Sequence, residues 1–251
     1  MPTKWNEPPE PIPSWLDPAA EVTSTPGERP DSHGPFVVAA MRACLALRLT
    51  PRQAAGVVAN AINEASWGRK YRAWNLGGWK ITKRYAATHP GAPWWRAPGN
   101  KSSGDKPWCY YRAFPSMEAY FAEWVEHFVP KPGVDRDGDG DIDEDDERGR
   151  SSLYRAAGDA FWSGAEWFPA LIQGGYKGPV TKANPDGSIR EHASLVRSAL
   201  RMWAQSVLGV EVDGEWGPAS RAALAAWQVA HELPSDGVLT ATTRELLGLG
   251  R

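Results

Sequence analysis

Apolar residues recur at helical spacing along this chain and predict a mainly α-helical protein. The clearest stripe consists of Ala54, Val58, Ala61, Ile62 and Ala65. Thr50 is expected to cap this helix, Pro51 suits its first position, and Gln53 has the spacing of a capping box. Gly68 is expected to end the helix.

Other stretches differ in pattern and divide the chain. Further helices are predicted at about 36–49, 116–129, 151–160, 165–171 and 189–208. Residues 69–112 alternate proline, glycine and aromatic residues without a helical period, which predicts a small lobe of strands and loops. Residues 1–35 are rich in proline, which predicts an extended arm.

Glu64 lies on the flank of the clearest stripe, one turn after Asn60 and close to Trp67. A carboxylic acid that is partly removed from water keeps its proton to a higher pH. Cleavage of a glycosidic bond uses such a group as the general acid that protonates the leaving oxygen. Glu64 is therefore a candidate catalytic acid, and a surface glutamate in a last helical turn is the alternative.

Four motifs follow one another in a fixed order. They are E-x-S-W-G from Glu64, N-L-x-G-x-K from Asn75, Tyr111-Arg-Ala-Phe-Pro-Ser-Met-Glu, and Ala170-Leu-Ile-Gln-Gly-Gly-Tyr176. Together they resemble the glucosaminidase family of peptidoglycan hydrolases over roughly residues 36–205. The resemblance implies an enzyme with an α+β, lysozyme-like catalytic domain, in which the small lobe faces the catalytic helix across a cleft.

The resemblance also implies roles for individual residues. Tyr176 matches a tyrosine that lies near the catalytic acid, although Lys-Gly-Pro follows it here, and a tyrosine packed at a helix end is the alternative. The residues expected to bind substrate are Trp67, Asn75, Trp79 and Tyr111. Tryptophans that could line a sugar-binding groove are Trp74, Trp79, Trp94, Trp95 and Trp108.

A second carboxylate is expected in such a site, to activate water or to stabilise the positive sugar ring. Asp105 is the only acidic residue between Glu64 and Glu118. It is the candidate for this role, and a polar residue in a surface turn is the alternative. No counterpart of the glutamate that the resembled family often carries in its hairpin is found.

Residues 135–146 match the EF-hand calcium loop position by position. Gly140 at position six permits the sharp turn. The expected ligands are Asp135, Asp137, Asp139, Asp141 through its carbonyl, Asp143, and Asp146 at position twelve, where glutamate is usual. We expect a structural Ca²⁺ that closes an insertion at about 133–148, and a solvated acidic linker is the alternative.

The last part of the chain repeats itself. Asp213-Gly214 and Asp236-Gly237 each begin a copy, 23 residues apart. The segment from Val212 to Gln228 resembles the small peptidoglycan-binding domain found beside many wall hydrolases. This implies a three-helix bundle over residues 206–251, and the helix at 189–207 could serve both domains. A generic three-helix bundle is the alternative.

The two resemblances agree on the bacterial cell wall as the partner. The expected function is cleavage of the peptidoglycan glycan strand, as an endo-β-N-acetylglucosaminidase with Glu64 as the general acid. A lytic transglycosylase or muramidase on the same fold is one alternative. A non-catalytic wall-binding or virion structural protein is an alternative of another class.

Further expectations concern the setting. No apolar run reaches the roughly 20 residues of a membrane span, and the N-terminus lacks the apolar segment of a signal peptide. This suits a bacteriophage endolysin that waits in the host cytoplasm, with a tail lysin or an exported hydrolase left open. We expect a monomer without a nucleic-acid partner. Cys44 and Cys109 are expected to be buried free thiols more readily than a disulfide.

Overall fold

The computed structural model describes residues 11–24, 30, 32–66, 71–98, 108–134, 154–176 and 184–249. In these ranges the chain is mainly helical and carries one small two-stranded sheet. This confirms the predicted class, a mainly α protein with a small lobe of strands. No helix in the described ranges is long and apolar enough to cross a membrane.

The elements are numbered here in chain order. The α-helices of the described ranges are α1 (His33–Ala46), α2 (Pro51–Ala65), α3 (Lys83–Thr88), α4 (Met117–Phe128), α5 (Arg155–Ser163), α6 (Phe168–Gln173), α7 (Pro185–Val207), α8 (Pro218–Ala230) and α9 (Ala241–Leu246). The strands are β1 (Trp94–Pro98) and β2 (Trp108–Arg112). A 3₁₀-helix covers Pro18–Ala20.

Helix α2 lies at the centre of the body, by which we mean α1 to α6, the hairpin and the first half of α7. It packs against α1 and α7, and every residue from Ala54 to Ile62 is buried. Most of these residues are small, so neighbouring side chains approach its backbone closely. A Cβ atom added to Gly56 would lie 2.9 Å from Cζ2 of Trp167.

The start of α2 agrees with prediction, and its end does not. Thr50 Oγ1 accepts the N–H of Gln53 at 3.3 Å, and Gln53 Oε1 accepts the N–H of Thr50 at 2.9 Å, so the capping box is present. The helix ends at Ala65, and Ser66 closes it in the left-handed conformation with φ 48°. Gly68, the predicted terminator, is therefore not the residue that ends α2, and it lies outside the described residues.

The small lobe is built on an antiparallel hairpin. Trp95 of β1 pairs with Tyr111 of β2. The chain before α3 extends the hydrogen bonding, because Ile81 N–H donates to the carbonyl of Tyr110 at 3.1 Å. The lobe also contains helix α3, in a stretch where the sequence predicts strands and loops. Thr82 caps α3 by accepting the N–H of Tyr85 at 3.1 Å, and six residues are too few to show a helical period.

Part of the proline-rich arm packs along the lobe. Leu16 is buried in a small core with Ile81 and Trp94. Val22 N–H donates to the carbonyl of Trp94 at 2.7 Å. Glu21 forms an ion pair with Arg96 at 2.9 Å. Residues 11–24 therefore act as an added edge of the hairpin.

Helix α7 joins the body to the C-terminal unit, by which we mean the second half of α7 with α8 and α9. Leu200 and Trp203 pack against the cores of both. The two parts also meet at Gly34 of α1, where an added Cβ atom would overlap the carbonyl oxygen of Val212. The C-terminal unit therefore rests directly on the body.

Both cysteines are buried and unpaired with each other, as the sequence favoured. Cys44 lies in α1 and Cys109 in β2. Burial raises the pKa of the Cys44 thiol well above its ordinary value, and the nearby charge of Glu118 adds to the increase. Cys44 therefore stays protonated and behaves as a small apolar side chain of the core.

Candidate functional site

A cleft of about 380 Å³ opens between the C-terminal end of α2 and the hairpin. Glu64 reaches it from the last turn of α2, Asn75 from the loop that follows, and Tyr111 from β2. The structure therefore brings three of the predicted site residues to one cleft. Trp67, a fourth, lies outside the described residues.

Tyr176 lies beside Glu64 and is 7% exposed. Burial raises the pKa of its hydroxyl well above the ordinary value, and the negative charge of Glu64 and a hydrogen bond to Glu64 raise it further. The hydroxyl is therefore protonated at neutral pH and donates to the Glu64 carboxylate. It can orient that carboxylate, but it cannot serve as a base.

Tyr120 of α4 adds a second buried phenol to this region. Burial raises the pKa of Tyr120 well above its ordinary value, and repulsion from the ionised forms of Tyr176 and Glu64 contributes. Its hydroxyl also approaches the loop of the cleft, because a Cβ atom on Gly77 would lie 2.7 Å from it. Glycine at position 77 therefore lets the loop pass directly over Tyr120.

Glu64 itself is exposed to the cleft. The helix pattern predicted a Glu64 side chain that is partly removed from water. The structure shows an exposed side chain, so this prediction is wrong. Its carboxylate faces solvent on one side and the buried Tyr176 hydroxyl on the other. A ligand that fills the cleft would displace the water on the open side.

Aromatic rings form one wall of the cleft. Trp95 and Tyr111 stack across the hairpin with ring centroids 4.6 Å apart and planes at 19°. Arg72 places its guanidinium 5.7 Å from the centre of the Trp95 ring. Such flat apolar faces beside polar groups suit sugar rings. Trp94, which the sequence placed in the same groove, is fully buried in the core of the lobe and cannot contact a ligand.

The side chain of Asn75 holds the backbone of the cleft in place, and almost none of its surface is open to a ligand. It is 2% exposed. Its Nδ2 donates to the carbonyls of Trp79 at 2.8 Å and Arg112 at 2.9 Å, and its Oδ1 accepts the N–H of Trp79 at 2.8 Å. The carboxamide thus ties the loop after α2 to the end of β2, using both of its amide hydrogens.

The loop before Asn75 has an unusual backbone. Ala73 and Trp74 are consecutive non-glycine residues with positive φ, at 50° and 55°. This conformation costs roughly 1–2 kcal/mol per residue. Surrounding contacts hold it in place: the carbonyl of Ala73 accepts the N–H of Phe114 at 2.8 Å, and the ring of Trp74 stacks on Tyr71 at 5.6 Å. Such strain clusters at functional sites.

Trp79, predicted to bind substrate, packs into an aromatic cluster and does not line the cleft. Its ring centroid lies 5.5 Å from that of Phe128 and 5.4 Å from that of His127. The guanidinium of Arg112 lies 5.0 Å from the centre of the Trp79 ring. Burial and the positive charge of Arg112 lower the pKa of His127, so this histidine is neutral at pH 7.

Two predicted features cannot be located in the described ranges. Asp105, the candidate for a second carboxylate, lies outside them, as does the calcium loop with Asp135, Asp137, Asp139, Asp141 and Asp146. Among the described residues that line the cleft, Glu64 is the one carboxylate.

The C-terminal unit is organised around a buried glutamine that the sequence analysis missed. Gln205, 1% exposed, lies near the end of α7. Its Nε2 donates to Asp213 Oδ1 at 2.6 Å and to the carbonyl of Glu215 at 2.9 Å. Its Oε1 accepts the N–H of Gly214 at 2.8 Å. The glutamine therefore holds the Asp-Gly turn against the helix.

Gln228 in α8 repeats this arrangement. Its Nε2 donates to Asp236 Oδ1 at 2.9 Å and to the carbonyl of Val238 at 3.1 Å, and its Oε1 accepts the N–H of Gly237 at 2.9 Å. Gln228 follows Gln205 by 23 residues, the interval of the Asp-Gly repeat. The signal was therefore present, because each Asp-Gly pair is preceded by a glutamine eight residues earlier.

The hydrogen bonds of the two turns lower the pKa of both aspartates. The bond from Gln205 is the main cause for Asp213, and the bond from the Val238 N–H is the main cause for Asp236. Both carboxylates are therefore ionised at neutral pH and act as fixed acceptors.

Comparison with known families supports the interpretation of this unit. Residues 195–247 match the family described as "Putative peptidoglycan binding domain". None of the curated proteins and none of the solved structures compared with the chain gives a match. The C-terminal unit thus has the sequence pattern of a peptidoglycan-binding domain, which supports peptidoglycan as a partner of this chain and an association with the cell wall.

Proposed function

We propose that the chain is a peptidoglycan glycosidase, in which the C-terminal unit binds the wall and the body cuts the glycan strand as an endo-β-N-acetylglucosaminidase. The observation that carries the proposal is the position of Glu64. Its carboxylate stands in a cleft with an aromatic wall, and the Tyr176 hydroxyl donates a hydrogen bond to it. A wall-binding domain supports this, because it raises the local concentration of a hydrolase on an insoluble polymer.

In the proposed reaction the bound sugars displace water from the open side of the cleft and so favour a protonated Glu64, which gives its proton to the oxygen of the glycosidic bond as that bond breaks. The stacked rings of Trp95 and Tyr111 hold the sugars, and displacement of water by the sugars protects the proton transfer. The Tyr176 hydroxyl orients the Glu64 carboxylate. The substrate's own N-acetyl group or a second carboxylate stabilises the positive sugar ring, and Asp105 is the proposed candidate for that second group.

The proposal is tested by Glu64→Gln. The variant keeps the shape of the side chain but carries no acidic proton, so lysis of purified sacculi should fall by about 10²–10⁴-fold. Turbidity loss measures the rate. Glu191→Gln, an exposed glutamate on α7, is the matched control and should lyse sacculi like the wild type.

Tyr176→Phe tests the role of the tyrosine. It removes the hydroxyl that donates to Glu64 but keeps a ring 5.0 Å from Phe128. A hydrogen bond to a charged group contributes roughly 1.5–3 kcal/mol, so activity should fall by about tenfold or more. Tyr154→Phe is the control, since that ring lies 5.1 Å from the same Phe128.

For the first of these two experiments, equal lysis of sacculi by the wild type and by Glu64→Gln would show that Glu64 is not the general acid.

A lytic transglycosylase or muramidase is the first alternative, because a single carboxylate with help from the substrate can cleave some glycans. The described lining of the cleft contains one carboxylate, which keeps this alternative open. The ends released from defined peptidoglycan separate the three activities. Reducing N-acetylglucosamine would support the proposed enzyme, whereas reducing or anhydro-muramic acid would support the alternatives.

A wall-binding protein without catalytic activity is the alternative of another class. The same single carboxylate motivates it. Under this alternative, wild type and Glu64→Gln bind sacculi equally and neither reduces their turbidity. Under the proposed function, both bind equally and only the wild type releases soluble glycan.

We also propose that residues 135–146 bind a structural Ca²⁺. The support is the sequence pattern, with carboxylates at five ligand positions and Gly140 at the turn. Removing Ca²⁺ with a chelator should lower the melting temperature, because bound metal stabilises the folded state. Asp135→Ala should show little response to the chelator. An unchanged wild-type melting curve would count against the metal site.

A further inference from the structure

A second pocket, of about 260 Å³, lies where the body meets the C-terminal unit. We call it the junction pocket. Arg52 at the start of α2 lines it from the body, Arg197 from α7, and Arg244 from α9. Glu166, which precedes α6, is the one carboxylate in its described lining. The pocket is thus built by both parts of the protein and carries more positive than negative charge.

The three guanidinium groups of the junction pocket are available to a ligand. The ion pairs within the described ranges are Arg96 with Glu21 and Arg112 with Glu123, so none of the three belongs to one. Arg52, Arg197 and Arg244 are all exposed. Exposed guanidinium groups that belong to no ion pair can bind carboxylates through two parallel hydrogen bonds in one plane.

The floor of the junction pocket is apolar. Leu249 is 3% exposed and Trp167 is 6% exposed, and both line the pocket together with Val196. His192 is also fixed there, because its Nε2 donates to the carbonyl of Gly56 at 3.0 Å and its ring stacks on Phe168 at 3.7 Å. The site therefore offers a rigid apolar surface beneath a basic rim.

We propose that the junction pocket binds the peptide stem of peptidoglycan, a short acidic peptide with alanine methyl groups. The carboxylates of the stem pair with Arg52, Arg197 and Arg244, and the methyl groups rest on the apolar floor. This rests on the association of the chain with peptidoglycan. This site differs from a binding surface of the C-terminal unit alone, because the body supplies Arg52. Arg52 lies on α2, the helix that also carries Glu64.

The apolar floor favours a peptide over a phosphate polymer of the wall. A phosphate chain would use the arginines but would gain nothing from the apolar lining of the pocket, whereas alanine methyl groups would pack against it. Position also fits the proposal. Arg52 precedes Glu64 by twelve residues, so the pocket and the cleft lie about 18 Å apart along α2. A peptide held in the junction pocket would therefore fix where its glycan strand lies relative to Glu64.

The test is a calorimetric titration of the full-length protein with the synthetic peptide N-acetyl-L-Ala-γ-D-Glu-meso-diaminopimelyl-D-Ala-D-Ala, which carries three carboxylates and one amine. We expect the wild type to bind it. The double variant Arg197→Glu/Arg244→Glu should weaken binding by at least about tenfold, because it replaces two attractive charges with repulsive ones. Arg52→Glu, on the body, should weaken binding independently.

Arg201→Glu is the matched control. It makes the same charge change on an exposed arginine of α7 that does not line the pocket. Its affinity for the peptide should equal that of the wild type. Melting curves of all variants establish that they are folded, and Arg52→Glu keeps the test decisive if the double variant does not fold.

Several results would overturn the proposal. They are a wild type that does not bind the peptide, a double variant that binds like Arg201→Glu, and displacement of the peptide by equimolar inorganic phosphate, which would indicate a phosphate site. Binding of intact sacculi is measured in parallel. If the protein binds sacculi but not the peptide, the proposal for the junction pocket is wrong and the wall association stands. If it binds the peptide but not sacculi, the wall association is wrong and the proposal for the junction pocket stands.

Discussion

The cleft and the C-terminal unit both depend on buried carboxamides, but they use them differently. In the C-terminal unit, Gln205 and Gln228 bond to turns that lie eight to ten residues further along the chain. In the cleft, Asn75 reaches the carbonyl of Arg112, 37 residues away. One region is therefore assembled from local contacts that occur twice, and the other from distant contacts that occur once.

The two regions also differ in what the sequence alone reveals. A local arrangement that repeats leaves a periodic pattern in the sequence, here the Asp-Gly pairs 23 residues apart. The cleft leaves no such pattern, because Glu64, Tyr111 and Tyr176 come from three separated elements. The prediction of that site depended on short motifs in order, and each motif alone carries little information.

The largest effect is expected from Gln228→Leu, which tests how much the C-terminal unit depends on its buried amides. The change leaves the buried Gly237 N–H without its acceptor and removes the Gln228 hydrogen bonds to Asp236 and to the carbonyl of Val238, which keeps the N–H of Thr240. An unsatisfied buried group costs roughly 1–3 kcal/mol and each lost hydrogen bond roughly 0.5–1.5 kcal/mol, so the unit should lose about 3 kcal/mol of unfolding free energy. Binding to sacculi should fall accordingly, measured by co-sedimentation.

Gln173→Leu is the control for this experiment, because Gln173 is exposed at the end of α6. It should change neither the melting temperature nor sacculus binding. If Gln228→Leu binds sacculi like the wild type, the repeated glutamines do not organise the unit, and the comparison with the cleft fails.

Asn75→Asp is expected to have a smaller effect, confined to the body. Aspartate can accept the N–H of Trp79, but it cannot donate to the carbonyls of Trp79 and Arg112. The loss of both donors and the repulsion between carboxylate and carbonyls should cost about 2–4 kcal/mol. Lysis should decrease, while sacculus binding should remain.

Asn184→Asp is the matched control for Asn75→Asp. Asn184 caps α7, and its side chain only accepts a hydrogen bond there, from the N–H of Gly187 at 3.1 Å. Aspartate caps as well as asparagine does. A destabilisation equal to that of Asn75→Asp would show that the donors of Asn75 do not matter.

The smallest effect concerns acid. Hydrogen bonds in the native state hold the pKa values of Asp213 and Asp236 below the ordinary value of 3.8. The unfolded chain therefore binds more protons at these sites, so their stabilising contribution is present above about pH 3.8 and is lost as the pH falls further. Melting temperatures measured from pH 5 to pH 2 should show this loss, and Asp213→Asn/Asp236→Asn should reduce it.

At α2 the sequence predicted the start of the helix better than its end. Thr50, Pro51 and Gln53 act within four residues of each other, so the capping box of α2 could be read directly. The end of α2 could not, because Ser66 adopts the left-handed conformation that a glycine was expected to supply.

The backbone of the cleft could not be predicted either. Nothing in the residue types Ala73 and Trp74 favours a positive φ, and the conformation results from contacts with β2 and its surroundings. Trp79, predicted to bind substrate, packs in an aromatic cluster, because an aromatic residue in a motif can serve the core as easily as a ligand. In both cases tertiary packing decided what local sequence left open.

The continuity of α7 has a consequence for engineering. Its 23 residues extend about 34 Å without a break, and Leu200 and Trp203 serve both neighbours. A chimera joined at residue 206 would separate the bundle from Leu200, Trp203 and Ala204, which pack in its core. To exchange the wall-binding unit between such proteins, the whole of α7 and the surface of α1 around Gly34 would have to be exchanged with it. The reason is that α7 continues from the body into the C-terminal unit without a break.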